Sequence, residues 1–330
     1  MNKKLKIFGI LTAALNAPYI IWLFFNAKGA LGFLLFGAEA MIGSLTFIFL
    51  FNHWTQRHQR HFHSPAKGTL DIFLPVVNES LELFERTLKA ATHVDYALKT
   101  VYVLDDGRRE EIKELTQKYA RARGVVYLAR TEHSHYKAGN LNFGLKNSSS
   151  EFILALDADQ VAQPEIANEI LGYFSEDDKL AMITTRQSFN VPSKDFNHDI
   201  LFYEHMQAGK NADNAAISCG SGVFYRRSAL EKIGGFQTWS IVEDLYTSYV
   251  LHISGFKTSY INKAYTQGTA PLDLSTIYKQ RGTWALDTLR LFFWHNPLFE
   301  SRLTWRQRLH YFEIAWAYIV SALAVPILFF

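Results

Sequence analysis

Cysteine is almost absent from this chain. Cys219 stands alone among 330 residues, so no disulfide can form within the chain and nothing points to an oxidising compartment. An excess of one charge is also missing, with 34 Lys and Arg against 31 Asp and Glu. That balance gives no argument for nucleic acid as a partner. No G-x-G-x-x-G follows the first candidate strand, and no Walker A lysine loop occurs anywhere. Dinucleotide and P-loop readings therefore lack their phosphate cradles.

Aromatic residues, at 15%, are plentiful and gather towards the two ends. Residues 5–25 are nearly all apolar, with Pro18 inside, and residues 31–51 form a second run broken only by Glu39. Each is about 20 residues long, which is what a helix needs to cross the hydrocarbon. The first run is too long for a signal peptide, lacks a small-residue cleavage site and is followed at once by the second. A helical hairpin over residues 1–52 is expected, with a short loop at 26–30. Lys3, Lys4 and Lys6 before it, and Arg57, Arg60 and Lys67 after it, put both flanks on the cytoplasmic side by the positive-inside rule. This predicts a multi-pass protein of the inner or plasma membrane. A third span is expected over residues 309–330; the chain stops inside that apolar run, so further spans are expected beyond it. Glu39 either marks a functional position within a span or faces the neighbouring helix. His53, His58, His61 and His63 lie in a linker, residues 53–69. The arginines between them would repel a cation, so an interfacial polybasic segment is expected there.

Between the apolar ends, strands and helices alternate. Strands are expected at 70–74, 100–104, 125–128, 152–156, 181–185 and 223–227. Helices are expected after Glu79 to about 92, over 109–121, up to about 146, over 165–174, where Pro164 suits a first turn, over 245–253 and over 284–294. Alternation of this kind builds a parallel sheet. A helix within 190–212, carrying Phe196, Ile200, Phe202, Tyr203 and Met206, is amphipathic. It would lie either on a membrane surface or against the domain.

The chemistry gathers where strands end. Residues 152–156 form an unbroken apolar run, as in a strand buried on both faces, and the run stops on Asp157-Ala158-Asp159. In an extended chain both carboxylates point the same way, at the sheet edge where ligands of open α/β folds collect. Such a pair is either a polar turn or a seat for a hard divalent cation with phosphate oxygens as its other ligands. Asp105-Asp106-Gly107 ends another strand. Cys219-Gly220-Ser221-Gly222 is a tight loop, either an ordinary turn or a place where a ligand approaches the backbone. Glu243 and Asp244 open a helix, where carboxylates commonly cap. Trp284 either anchors at an interface or stacks on a sugar.

Taken in order, these pieces resemble the membrane-embedded family-two glycosyltransferases, cellulose synthases above all. The residues are Asp105-Asp106-Gly107, the run from His135 to Asn142, Asp157-Ala158-Asp159, Cys219-Gly220-Ser221, Glu243-Asp244 and Gln280-Arg281-x-x-Trp284, within residues 70–293. The resemblance implies an α/β nucleotide-diphospho-sugar transferase fold, a mostly parallel mixed sheet flanked by helices, over residues 70–285. Amphipathic interfacial helices would follow over 286–308. It implies inverting transfer from a UDP-sugar, with glucose the expected sugar, to a growing β-linked polysaccharide, with Mg2+ or Mn2+ as cofactor. Asn78, Glu79, Asp105, Asp106, Lys137, Asp157, Gln280 and Arg281 would bind the nucleotide-sugar. Asp157 and Asp159 would hold the metal and Asp244 would be the general base. Cys219, Gly220, Ser221, Glu243 and Trp284 would line the acceptor site. The chain departs from the family pattern at Thr283, where an Arg is usual, at Val76 and Val77 in place of Thr-Tyr, and at Val242 in place of Thr. Two other functions stay open: a glycolipid synthase adding one or a few sugars to a lipid acceptor, and an inactive partner subunit of a synthase complex.

Overall fold

The computed structural model describes residues 3–54, 64–192, 195–271 and 273–329. His58, His61 and His63 of the expected polybasic segment, with Arg57 and Arg60, lie outside the described residues. The chain divides into two compact units. One comprises residues 59–207 and 216–283, the other residues 1–58, 208–215 and 284–330.

The first unit is built on one eight-stranded sheet: β1 Leu70–Val76, β2 Lys99–Asp105, β3 Val125–Leu128, β4 Phe152–Ala155, β5 Val161–Ala162, β6 Leu180–Phe189, β7 Val223–Arg226 and β8 Lys257–Gly268. Their spatial order is β3-β2-β1-β4-β7-β6-β8-β5. The β1/β2, β2/β3, β1/β4 and β6/β8 pairs are parallel, whereas β4/β7, β6/β7 and β5/β8 are antiparallel. The sheet is therefore mixed but mostly parallel, as expected: β1 to β4, β6 and β8 run one way, and β7 and β5 run against them. No helix stands directly before β7; it is reached through the loop at 216–222, which lets the strand run back beside β4.

All seven β1 residues are buried, because a central strand of a helix-covered sheet has no wet face. Leu70, Ile72 and Leu74 pack on one side with Phe84 and Leu88 of helix Leu81–Thr92. Phe73 packs on the other side with Ala138 and Leu141 of helix Tyr136–Lys146. Asp71, buried in β1, is paired with Arg227 at 2.9 Å and accepts from the Ser150 hydroxyl at 2.8 Å.

Several expectations need correction. The helix expected at 165–174 is a short segment, Ile166–Ile170, continued by a tighter 3-10 turn, Leu171–Ser175. The amphipathic stretch 190–212 is three pieces: a 3-10 turn Phe196–His198, a π-helical turn Leu201–Met206 and helix Gln207–Ala212. Asp199 interrupts it at φ 46, a left-handed conformation that no helix continues through. Helix Leu274–Trp294 begins well before Gln280. The Asp273 carboxylate accepts from the Thr276 N–H at 2.9 Å and so caps the helix N-terminus. Strand β8 had no counterpart among the expected elements.

Among the described residues, the second unit holds three helices long and apolar enough to cross a membrane, at Lys6–Asn26, Gly29–His53 and Trp305–Phe329. The last begins earlier than hydropathy suggested, because Trp305, Arg306 and Arg308 make its first turn polar. Glu39 faces a neighbour, hydrogen-bonding Tyr19 of the first helix. At the ends of these helices sits a buried polar cluster. His53 bonds Glu313 Oε1 at 2.9 Å, and Asn52 donates to Glu313 Oε2 at 2.9 Å. Lys210 Nζ donates to the His310 carbonyl at 2.9 Å and lies 3.8 Å from Glu313. His310 Nε2 bonds Asp213 at 2.9 Å, and Arg306 lies 3.9 Å from the same carboxylate. His53, His310 and Glu313 each place a ligand atom within 4.8 Å of the others. Lys210 and Arg306 already stand against Glu313 and Asp213, so the carboxylates have cationic partners within the cluster.

Lys210 is fully buried, and burial pushes its amine down while Glu313 pulls it up. Removing one partner of a buried pair costs roughly 3–5 kcal/mol. Lys210→Met is therefore expected to lower the thermal midpoint of the detergent-solubilised protein markedly. An unchanged melting curve would show the pair to be dispensable.

Candidate active site

The parallel strands bring several carboxylates to one edge. Val76 pairs with Asp105 across β1/β2, and Phe73 with Ala155 across β1/β4. The segments after β1, β2 and β4 therefore emerge side by side, carrying Asn78 and Glu79, Asp105 and Asp106, and Asp157 and Asp159. This is the carboxyl edge where open sheets take ligands.

The centre is Lys137, one residue into helix Tyr136–Lys146. Its ammonium bonds the Asp157 carboxylate and, at 2.9 Å, the Gly220 carbonyl; Glu243 Oε1 lies 3.5 Å away. One cation thus ties the end of β4, the small-residue loop and helix Glu243–Ile253. The surrounding Asp157, Glu243 and Asp244 charges hold Lys137 protonated, against the burial that favours its neutral form. Gly220 has φ +79, and a Cβ built on it would stand 3.1 Å from Asp244 Oδ2 and 3.4 Å from Lys137 Nζ. A side chain there would fill the space between the lysine and the carboxylate.

Glu243 and Asp244 sit in the first turn of their helix, whose N-cap, Val242, has no side-chain bond to the turn. Asp244 Oδ1 accepts from the Leu245 N–H of that turn at 2.7 Å, and both carboxyls are also drawn into the site. Burial first, then the neighbouring Glu243, pushes Asp244 up to about 7, with Lys137 opposing. Burial also raises Glu243. A carboxyl poised near neutrality in a water-poor corner has the properties of a general base.

The Asp159 Oδ2 accepts from the Thr269 N–H at 3.0 Å. Burial, then the Asp157 charge, raises this carboxyl, and Glu79 adds to the effect. Asp106 is held by a fork from Arg130, whose Nη2 reaches Oδ2 at 2.6 Å, with His133 at 3.1 Å from Oδ1. These partners outweigh burial and keep Asp106 below the usual carboxylate range.

Other expected site residues have different surroundings. Asp105 is fully buried. It accepts from the Gly107 and Arg109 N–H groups and from the Tyr127 hydroxyl, at 2.9, 2.8 and 2.8 Å, so it builds the loop that carries Asp106 instead of facing a ligand. Ser221 is also fully buried, its Oγ accepting from the Asp157 N–H at 2.8 Å. The Cys219 thiol lies against Gln207, at 3.1 Å, and the Tyr203–Tyr260 cluster. Burial pushes it up to about 12, which disfavours the thiolate. Arg281 pairs with Asp199 at 2.8 Å. Thr283 bonds the Lys279 carbonyl at 2.9 Å, so no charge stands where an Arg is usual. Gln280 and Trp284 are half-buried on the same helix. Arg130, which sequence reasoning missed, is 6% exposed; an Arg two residues after the apolar strand 125–128 was its only signal.

Residues 71–234 match the family described as glycosyl transferase family 2, and residues 231–329 match cellulose synthase. The chain belongs to the family 2 glycosyltransferases. Among similar curated proteins, a cellulose synthase 1 catalytic subunit [UDP-forming] of Komagataeibacter xylinus is 32% identical over 326 residues, 92% of this chain and 43% of that protein. A cellulose synthase catalytic subunit [UDP-forming] of Pseudomonas fluorescens is 36% identical over 255 residues, 74% of this chain and 34% of the relative. The chain thus spans less than half the length of these relatives. Among solved structures, the mannosyltransferase PcManGT from Pyrobaculum calidifontis, in complex with GDP-Man and Mn2+, superposes with TM-score 0.70 at 18% identity. That superposition covers 89% of this chain and 86% of the other. S. aureus TarS 1–349 in complex with UDP-GlcNAc gives TM-score 0.53 at 16% identity, over 76% and 71% of the two chains. At these identities the likeness bears on the fold of this cellulose synthase-like glycosyltransferase.

Proposed function

We propose that this chain is a membrane-anchored transferase that moves a sugar, glucose being the expected one, from a UDP-sugar to the hydroxyl of a growing β-linked glycan, with inversion at the anomeric carbon. The observation that carries the reading is Lys137, joined to Asp157, Gly220 and Glu243 with Asp244 beside it. One cation and one poised base face the same small space. In this reading Asp244 takes the proton of the acceptor hydroxyl as its oxygen attacks the anomeric carbon. The bond to the UDP oxygen breaks, and Lys137 meets the charge that develops on the leaving diphosphate.

A divalent cation, Mg2+ or Mn2+, fits the donor set. Asp157 and Asp159 are two residues apart at the end of β4, and burial, then the neighbouring Asp157 charge, makes the Asp159 charge costly, a cost that a divalent cation would offset. Bound there, the ion would add positive charge for the departing diphosphate. Asp106, positioned by the Asp105 loop, with Asn78 and Glu79, would receive the nucleoside end; Gln280 and Arg281 would flank it. Gly220 with its neighbours Cys219 and Ser221, together with Glu243 and Trp284, would bound the acceptor. The three apolar helices would anchor the chain, and the basic residues around the first two would set their ends in the cytoplasm. One observation favours a second reading, a glycolipid synthase: position 283 offers a hydroxyl already bonded to Lys279, which leaves the terminal motif without its charge for gripping a polymer.

The test is UDP release from membranes expressing the full-length protein, with Mg2+ and a panel of UDP-sugars, followed by product sizing. Release with one donor and a long glucan is expected. A single glycolipid band would favour the second reading. No release with any donor would point to an inactive subunit.

A further inference from the structure

We propose that Arg130 is a positioning residue that locks the nucleoside end of the donor site to its diphosphate end; the proposal rests on the transferase reading above. The Arg130 guanidinium spends four of its five N–H groups on two separate loops. Nε and one Nη2 hydrogen go to the two Asp106 oxygens, at 2.5 and 2.6 Å. Nη1 goes to the Ser134 carbonyl at 2.5 Å, and Nη2 also to the Tyr136 carbonyl at 3.0 Å.

The second loop needs holding. His135 and Tyr136 have φ of 61° and 47°, two consecutive non-glycine residues in the left-handed region. Such backbone is strained and persists only where the surroundings over-determine it. Lys137 follows directly, so this strained pair aims the ammonium at Asp157. Gly139 packs on the same guanidinium: a Cβ there would come within 2.4 Å of Arg130 Nη1. Arg108, also left-handed at φ 51, donates to the Arg130 carbonyl at 2.9 Å and closes the assembly from the Asp106 side. Asp106 and Lys137 are therefore not set independently. One flat, rigid fork spans the Asp106 carboxylate and the Tyr136 carbonyl, one residue before Lys137.

A lysine at 130 keeps the charge and loses the fork. Arg130→Lys is expected to raise KM for the UDP-sugar and the inhibition constant of UDP by about tenfold. It should also lower kcat by about 10–100-fold, the scale of an ångström of misplacement. A role in folding alone would leave KM and UDP inhibition unchanged and reduce kcat in step with the folded fraction, which a melting curve measures. Arg130→Gln with Asp106→Asn is the second arm. If the fork joins the two, the double variant loses little beyond either single one; multiplying losses would overturn the coupling. Wild-type kinetics in Arg130→Lys would overturn the inference alone. Absence of UDP release by the unmutated protein would overturn the transferase reading beneath it.

Discussion

Asp244→Asn is expected to lower sugar transfer by on the order of 10²–10⁴-fold, the range for loss of a general base, while UDP binding changes little. Asparagine keeps the shape and the Leu245 N–H contact (2.7 Å to Oδ1), so the loss reports on the proton acceptor alone. The charge environment supplies a second signature. Burial and the Glu243 charge raise Asp244 to about 7 against the pull of Lys137, with Asp157 adding to the rise. The active form is the deprotonated one. Transfer should therefore climb with pH and reach half its plateau near pH about 7, falling about tenfold per unit below that. The variant should lack this limb. Glu243→Gln separates the two carboxyls, because Glu243 stands against Lys137 at 3.5 Å while Asp244 borders the open face of Gly220. Initial rates from pH 5 to 9 decide the matter, and normal turnover in Asp244→Asn would remove it as the base.

Much of this arrangement was legible in the residues, for identifiable reasons. The run at 70–74 is apolar but for Asp71 and that at 152–156 is apolar without a break, as suits strands β1 and β4 covered on both faces. The DxD that closes the second run could only emerge at the sheet edge. What stayed hidden depends on partners remote in sequence. Gly220 is 83 residues from Lys137, and neither sequence segment announces the other. β7 runs against both its neighbours, β4 and β6, yet resembles them in composition, since direction leaves no mark on a short buried strand. Asp105 and Asp106 are adjacent carboxylates of one turn; only the structure shows that the first is consumed by two N–H groups and Tyr127 and the second by Arg130. Lys210 reads as an ordinary surface lysine, yet it is fully buried against His310 and Glu313.

Chelation of divalent metal is expected to suppress UDP release by on the order of 10²–10³-fold, the kinetic equivalent of several kcal/mol of charge stabilisation, with recovery on adding Mg2+ or Mn2+. The two carboxylates predict unequal variants. Asp159 has one oxygen on the Thr269 N–H and is raised by burial and by Asp157. Asp159→Asn should therefore weaken the metal requirement's ligand set while leaving the Lys137 contacts in place. Asp157→Asn removes a ligand and also the carboxylate that Lys137 bonds, leaving the ammonium to Glu243 and the Gly220 carbonyl. Its loss should be the larger one, and excess metal should rescue it less. Calorimetric titration of Mn2+ into each purified variant gives a readout independent of turnover: affinity should fall in both. Full activity in chelator, or unaltered Mn2+ affinity in Asp159→Asn, would move the charge stabilisation off this pair and onto Lys137 alone.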